Sequence, residues 1–572
     1  VRRTSGDLLA ELFVAYGVRY VFGIPGGQTQ PLYDALSRRG DQIRHILVRD
    51  ERSGPYAADA YARVTGRLAV CDAVPGPGVV KLPSGLSEAL ASSVPLVAIA
   101  GDIPQPWRHL ARYACAAQGL DQIRLLEPVS KSVINVPSQA VLPSAVRHAF
   151  VEATTGRPGP VVLNIPADVF HEAWDSASLP PEADPRFAEF PALRPHPPAD
   201  AVAAAARMLA EAQRPVLVVG GGGLHSRAFE PVRRLAERLT LPVATTVSGK
   251  GIIAESHPLC IGVLGGQYGE DSANQIVREA DVVFLVGFKS SQQSTFEWTL
   301  PAPTQRTIHL DIDPYEIGKV FHTTIPLVGD AATGLSDLLA YVERGGLQNP
   351  HRAEWRRRID EAKRNWTAQI IAELRATKPI LPQYVMHELQ RQTRPGDIVV
   401  SDASFSIGWI TSYYDLQKEG RQCLFPRGSA TLGYGLPAAI GAKLATPHAR
   451  VVCVAGDGGI AYALGELATC RKYDLAIVVV VLNNGCLAYS KWGEYKGEGH
   501  YENVDFPDTN FALIARAFGC VGLRVEAPDE LSDALAQALQ SDAPTLIDVV
   551  VDPWATPELR LRRERRPVAS TA

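Results

Sequence analysis

Short runs of apolar and β-branched residues recur along the chain at 20–24, 68–74, 96–101, 160–165, 215–219, 281–286, 307–311, 398–401, 451–455 and 476–482. Each run is continuous rather than alternating. A strand buried on both faces reads this way, because neither side meets water. Longer Ala- and Leu-rich stretches separate the runs. That alternation predicts βαβ units and an α/β fold of three doubly wound parallel sheets.

Two breaks divide the pattern. Between 172 and 200, Pro180, Pro181, Pro185, Pro191, Pro195, Pro197 and Pro198 interrupt any regular element. Around 344–378, Gly345 and Gly346 precede a charged stretch, 354–375, expected to form a polar helix that bridges domains. The expected division is 1–171, a linker 172–200, 201–343, a linker helix 344–378, 379–555, and a basic tail 556–572. In the tail, Arg560, Arg562, Arg563, Arg565 and Arg566 cluster, either as a solvated end or as a lid over a phosphorylated or carboxylated ligand.

Composition excludes several classes. The 57 Lys+Arg nearly balance 61 Asp+Glu, for a net charge of −4, so no global field favours nucleic acid or membrane. No apolar run approaches the ~20 residues that span a bilayer, and no leader pattern opens the chain, so a cytoplasmic protein is expected. Eight cysteines without CxxC spacing make neither a disulfide framework nor a zinc site.

The most specific signal lies in the third segment. Gly456-Asp457-Gly458-Gly459 follows the run 451–455 directly, and Asn483-Asn484 follows 476–482. Both motifs therefore sit at carboxyl ends of strands, where open α/β sheets bind ligands. Glycines let backbone N–H groups approach a diphosphate, and a helix beginning near Ile460 would turn its positive end toward it. Asp457 and the Asn484 amide oxygen are hard ligands suited to Mg²⁺.

This spacing resembles the signature of thiamine diphosphate (ThDP) enzymes, and the surroundings resemble the acetolactate synthase family. The stretch from Gly428 to Ala442, including Ala430, Leu432 and Gly433, is similar to that family's aminopyrimidine-holding segment. Val21-Phe22-Gly23-Ile24-Pro25-Gly26-Gly27, with Glu51-Arg52-Ser53 after the run 45–48 and before a helical stretch 54–61, resembles its pyrimidine-binding domain.

The resemblance implies pyrimidine-binding, central and diphosphate-binding domains in that order. It implies that Glu51 is catalytic and that Gln28 and Gln118 contact substrate; Glu494, where the chain departs from the family, is read from its own chemistry as either a second acid/base or an exposed loop carboxylate. The resemblance implies cofactor contacts from Pro25, Gly26, Glu51, Gly76, Ser404, Ala430, Leu432, Gly456, Asp457, Gly458, Gly459, Asn484, Cys486 and Leu487. Asp457, Asn484 and Cys486 are the implied metal ligands. A carboxyl beside the pyrimidine N1′ favours the tautomer whose 4′ nitrogen removes the thiazolium C2 proton. Leu432 is the implied wedge between the two rings. The active site is expected across a homodimer interface, in a homodimer or homotetramer, with Glu51 from one subunit and Asp457 and Asn484 from the other.

The sequence also departs from the family pattern. Asp50 stands where histidine often precedes the glutamate. Gly76-Pro77-Gly78-Val79-Val80-Lys81 ends in lysine instead of asparagine, which places a cation at the site's mouth or on the surface. Gly287-Phe288-Lys289-Ser290-Ser291-Gln292 lacks both arginines of an Arg-Phe-Asp-Asp-Arg run that serves FAD and the second 2-oxo acid. Tyr489, Ser490, Trp492 and Glu494 replace a mostly apolar acceptor pocket. The missing arginines, and displacement of the tryptophan that selects the larger acceptor in the family (Trp492-Gly493-Glu494 stands in that region), argue against branched-chain amino-acid biosynthesis. Gly220-Gly221-Gly222-Gly223 and Asp311-Ile312-Asp313 leave FAD, ADP or no nucleotide as central-domain readings.

The function expected is ThDP- and Mg²⁺-dependent decarboxylation of a 2-oxo acid and carboligation to a second carbonyl. The alternatives are a 2-hydroxyacyl-CoA lyase or oxalyl-CoA decarboxylase relative, and a non-catalytic relic. Partners are small molecules: a 2-oxo acid, aldehyde or acyl-CoA.

Overall fold

A computed structural model of the chain describes residues 3–266, 268–367 and 377–557. The arginine cluster at 560–566 and residues 368–375 of the expected linker helix lie outside the described residues.

Three six-stranded, wholly parallel sheets carry the fold. The first contains β1 (Tyr20–Gly23), β2 (Arg44–Leu47), β3 (Ala69–Ala73), β4 (Leu96–Asp102), β5 (Ser132–Asn135) and β6 (Val161–Pro166), in the order β2-β1-β3-β4-β6-β5. The second contains β7 (Pro215–Val219), β8 (Val243–Thr245), β9 (Cys260–Val263), β10 (Val282–Val286), β11 (Arg306–Asp311) and β12 (Ile325–Val328), in the order β12-β11-β10-β7-β8-β9. The third contains β13 (Ile398–Ser401), β14 (Cys423–Leu424), β15 (Val451–Gly456), β16 (Ile477–Asn483), β17 (Val521–Val525) and β18 (Thr545–Val550), in the order β14-β13-β15-β16-β18-β17. Central strands β3, β4, β10, β13 and β16 are buried along their whole length, as continuous apolar runs require.

The first and third sheets share one topology, and their domains grip each other reciprocally. Glu88, on the helix Leu82–Ala91 after β3, is fully buried and accepts N–H bonds from Gly428 (2.7 Å), Ser429 (2.8 Å) and Ala430 (3.2 Å). Glu466, on the helix Glu466–Lys472 after β15, accepts N–H bonds from Arg49 (2.9 Å) and Asp50 (3.2 Å). Each domain's carboxylate thus fixes the loop after the other's second strand.

The helices Ser53–Thr65 and Gly435–Ala445 cross between these carboxylates at backbone contact. A Cβ on Gly441 would run into the Ala57 carbonyl oxygen. Gly441→Ala is therefore expected to destabilise the fold by about 3 kcal/mol in denaturant titration. A Gly441→Ala variant as stable as wild type would mean that this crossing is loose.

Three expectations are corrected. Along its described length, the helix Arg352–Thr367 docks on the second domain instead of presenting polar faces only. Trp355, Ile359 and Ala362 are buried in the core of the second sheet, and Trp355 Nε1 donates to Pro215 O at 2.9 Å. Their i, i+4, i+7 spacing on a charged helix was the missed signal. The helix after the GDG motif spans Asp457–Ile460 and so starts at Asp457, not near Ile460. The helix after Glu51 runs to Thr65, ending at Gly66 in the left-handed region (φ 71°), rather than at 61.

Candidate active site

Asp457 and Asn484 stand at the carboxyl ends of adjacent strands β15 and β16, which pair in register from Val451↔Ile477 to Gly456↔Leu482. Asp457 is 4% exposed. Its carboxylate accepts Gly458 N–H (2.9 Å) and Gly485 N–H (2.8 Å), so the two motifs are tied directly. Burial pushes its carboxyl up to about 6. No lysine, arginine or histidine pairs with it among the described residues. A buried carboxylate without a countercharge fits a bound cation.

The two asparagines have different roles. Asn483 is buried, and its amide donates to Thr509 O and Asp548 Oδ1, both at 2.9 Å, so it holds the scaffold. Asn484 is half-buried, and its Oδ1 meets Cys486 N–H at 3.3 Å and Cys486 Sγ at 3.6 Å. That amide oxygen retains capacity for a metal. Burial pushes the Cys486 thiol up to about 12, so it is protonated in the metal-free fold.

The glycines leave room for a ligand. Beside Gly456 an added Cβ would meet nothing within 4 Å. At Gly458 it would come within 2.9 Å of Leu487 Cδ2, so Leu487 packs against the GDG turn. Gly459 backs onto Asp402 at 2.8 Å. This cradle fits a diphosphate with a divalent cation.

Asp402, at the end of β13, was missed in the sequence. Its fully buried carboxylate accepts N–H bonds from Ala403 (2.8 Å), Gly433 (3.1 Å) and Gly435 (2.8 Å), and burial pushes it up to about 6. With Glu88 holding residues 428–430, it fixes both ends of the loop that presents Leu432. Leu432 itself stays half-exposed, outside the hydrophobic clusters. Nothing in the spacing around Ser401-Asp402 announces this role.

In the first domain, Glu51 follows β2 and precedes the helix Ser53–Thr65. It is 8% exposed, and its Oε2 accepts from Lys81 Nζ at 2.8 Å. Lys81 thus pairs with Glu51 while its own side chain remains 43% exposed. Gln28 Nε2 donates to Gln118 Oε1, which joins two candidate residues that lie 90 positions apart. Gly76 makes room for this pair, since a Cβ there would sit 2.7 Å from Gln118 O. Gly26 is equally constrained, because a Cβ would collide with Val74. Pro25 is exposed on the same turn.

Three non-glycine candidates, Gln118 (φ 66°), Ser404 (φ 71°) and Ala430 (φ 55°), occupy the left-handed region. Such strain collects where structure is fixed for a ligand.

Glu494 is half-buried on the helix Ala488–Glu498, and its carboxylate accepts Glu502 N–H at 3.0 Å. No hydrogen bond or ion pair among the described residues ties it to the Asp457–Asn484 motif. On the same helix Tyr489 packs edge-on against Phe405. Lys491 pairs with Asp505 at 2.9 Å and lies over the rings of Tyr501 (4.4 Å) and Trp554 (4.8 Å), which seats the C-terminal segment on this helix.

A cavity of about 360 Å³ opens where the second domain meets the other two, lined in part by Gly221, Gly222, Ser248, Lys289, Asp311 and Arg157. The glycine run has a packing cause as well. Gly222 N–H donates to Gly287 O at 3.1 Å, and a Gly222 Cβ would lie 2.6 Å from Gly287 Cα. Burial pushes Asp311, at the end of β11, up to about 6.

Comparison with known proteins agrees with this geometry. Models of thiamine pyrophosphate enzymes match the chain three times: the N-terminal TPP binding domain over residues 3–125, the central domain over 202–338 and the C-terminal TPP binding domain over 402–549. A probable acetolactate synthase large subunit from Methanocaldococcus jannaschii is 36% identical over 96% of this chain and 92% of its own length. The acetolactate synthase large subunit of Parasynechococcus marenigrum is 37% identical over 94% of this chain and 85% of its own. The acetolactate synthase isozyme 3 large subunit of Escherichia coli is 32% identical over 96% and 95%. No described helix is long and apolar enough to cross a membrane.

Proposed function

The chain belongs to the thiamine diphosphate enzyme family that includes the acetolactate synthase large subunits, and from that premise we propose a ThDP- and Mg²⁺-dependent carboligase that decarboxylates a 2-oxo acid and joins the remainder to a second carbonyl. The observation that carries the reading is the buried, uncompensated Asp457 tied to the Asn484 turn across β15 and β16.

When bound, the cofactor supplies the nucleophilic carbon and the electron sink that decarboxylation needs. The chain's residues do the rest. Asp457 and the amide oxygen of Asn484 hold the divalent cation, and the backbone of residues 456–459 receives the diphosphate. Glu51 holds and returns a proton at the pyrimidine N1′. Leu432, on a loop fixed by Asp402 and Glu88, would pack against the bound cofactor. Gln28 and Gln118 share one hydrogen bond and keep spare donors and acceptors for a substrate carbonyl or carboxylate. The active site is assembled between subunits, so a monomeric form is inactive.

The test is a panel of 2-oxo acids, aldehydes and 2-hydroxyacyl-CoAs incubated with protein, ThDP and Mg²⁺ and read by mass spectrometry. Carboligation products from 2-oxo acids support the reading. Turnover confined to acyl-CoA substrates replaces it with the lyase reading.

The central cavity favours a nucleotide occupant, FAD or ADP, at the glycine-lined end of β7. A ligand that binds only the folded state must raise its stability. Saturating ADP or FAD is expected to raise the unfolding temperature by at least about 2 °C. No shift with either would leave the cavity without a nucleotide role.

A further inference from the structure

Two departures from the family pattern, Asp50 and Lys81, are thirty-one positions apart in the chain and meet in space. Lys81 ends the 3-10 turn Val79–Lys81. Its Nζ lies 2.8 Å from Glu51 Oε2 and 3.6 Å from Asp50 Oδ2. Asp50 is fixed in turn, since its Oδ1 accepts from Arg52 N (2.9 Å) and Arg52 Nε (3.0 Å). Glu466 grips the backbone of Arg49 and Asp50 from the third domain. Among the described residues no hydrogen bond falls on Glu51 Oε1.

We infer that Lys81 is a positioning residue for Glu51: its ammonium, anchored by Asp50, pins one carboxylate oxygen and leaves the other presented to the proton it must exchange. This rests on the reading of Glu51 as the proton relay. A glutamate carboxylate swings about a broad terminal torsion. A charge-assisted bond to one oxygen removes that freedom more firmly than a neutral amide would. The hydrogen bond to Glu51 raises the Lys81 ammonium above its ordinary value, so the cation persists at neutral pH. Asp50 supplies the counterweight that keeps this cation in place without histidine.

The geometry has a chemical readout in the cofactor-free protein. A water-soluble carbodiimide activates a carboxylate, and an adjacent amine displaces the urea to form an amide. The expected product is a Glu51–Lys81 crosslinked peptide, absent from Lys81→Met. In the holoenzyme Lys81→Met is expected to lower kcat about tenfold, with KM and unfolding temperature unchanged. Lys81→Arg restores most of the loss. Asp50→Asn adds nothing in the Lys81→Met background, because the two act through one contact.

A missing crosslink, or wild-type kcat in Lys81→Met, would overturn the inference. The failure of the underlying reading looks different: Glu51→Gln would itself keep wild-type turnover. An inactive Glu51→Gln with a silent Lys81→Met overturns the role of Lys81 alone.

Discussion

Replacing Glu51 by glutamine is expected to lower kcat by about 10²- to 10⁴-fold, the range a positioned general acid–base contributes. Glutamine keeps the volume and one carbonyl oxygen, so the turn after β2 and its grip by Glu466 should survive. ThDP should still bind, because the cradle at Asp457 and Asn484 belongs to the other domain. The signature is separation: near-normal cofactor affinity, normal unfolding temperature and slow exchange of the cofactor's C2 proton for deuterium. Wild-type exchange in Glu51→Gln would remove Glu51 from the mechanism.

Replacing Asp457 by alanine should act in the opposite order. Removing partners that merely orient metal ligands already costs about 10- to 100-fold in metal affinity, so loss of a direct ligand should weaken Mg²⁺-dependent ThDP retention by at least about 100-fold. Alanine removes the charge together with the acceptors for Gly458 and Gly485 N–H. Asp457→Asn separates them, because its amide oxygen can keep the tie to Gly485 while the charge is gone. It should lose retention nearly as fully. Its apoprotein should unfold near the wild-type temperature, because relief of a buried carboxylate that burial has pushed up to about 6 is set against the lost acceptor for Gly458 N–H. Equilibrium dialysis with ThDP and Mg²⁺, beside thermal unfolding of the apoprotein, reads both effects. Full retention in Asp457→Asn would show that the charge holds no cation.

The parts of this architecture readable from sequence are those with a local physical cause. Strands such as β7 and β13 are continuous apolar runs because they are buried on both faces. The GDG and asparagine motifs are legible because strand ends, glycine space and oxygen ligands coincide within a few residues. Contacts made across domains are not. Glu88 and Glu466 look like ordinary helix carboxylates until the shared topology of the first and third sheets brings each to the other's loop. Asp402 follows a strand like any polar residue, and its three backbone donors lie one, thirty-one and thirty-three positions away. Lys81 was visible as a departure, but its direction was set by the fold of the turn Val79–Lys81. The helix Arg352–Thr367 misled because its heavy charge outweighed the three apolar residues that dock it.

The central claim, decarboxylation of a 2-oxo acid coupled to carbon–carbon bond formation, is tested most directly by ¹³C NMR of labelled pyruvate with the holoenzyme. The account predicts ThDP- and Mg²⁺-dependent loss of the carboxyl label as carbon dioxide, with the remaining two-carbon unit appearing in a product joined to a second carbonyl, and neither signal in Glu51→Gln. Pyruvate left intact beside 2-hydroxyacyl-CoA that is cleaved, or product formed at the wild-type rate by Glu51→Gln, would contradict it.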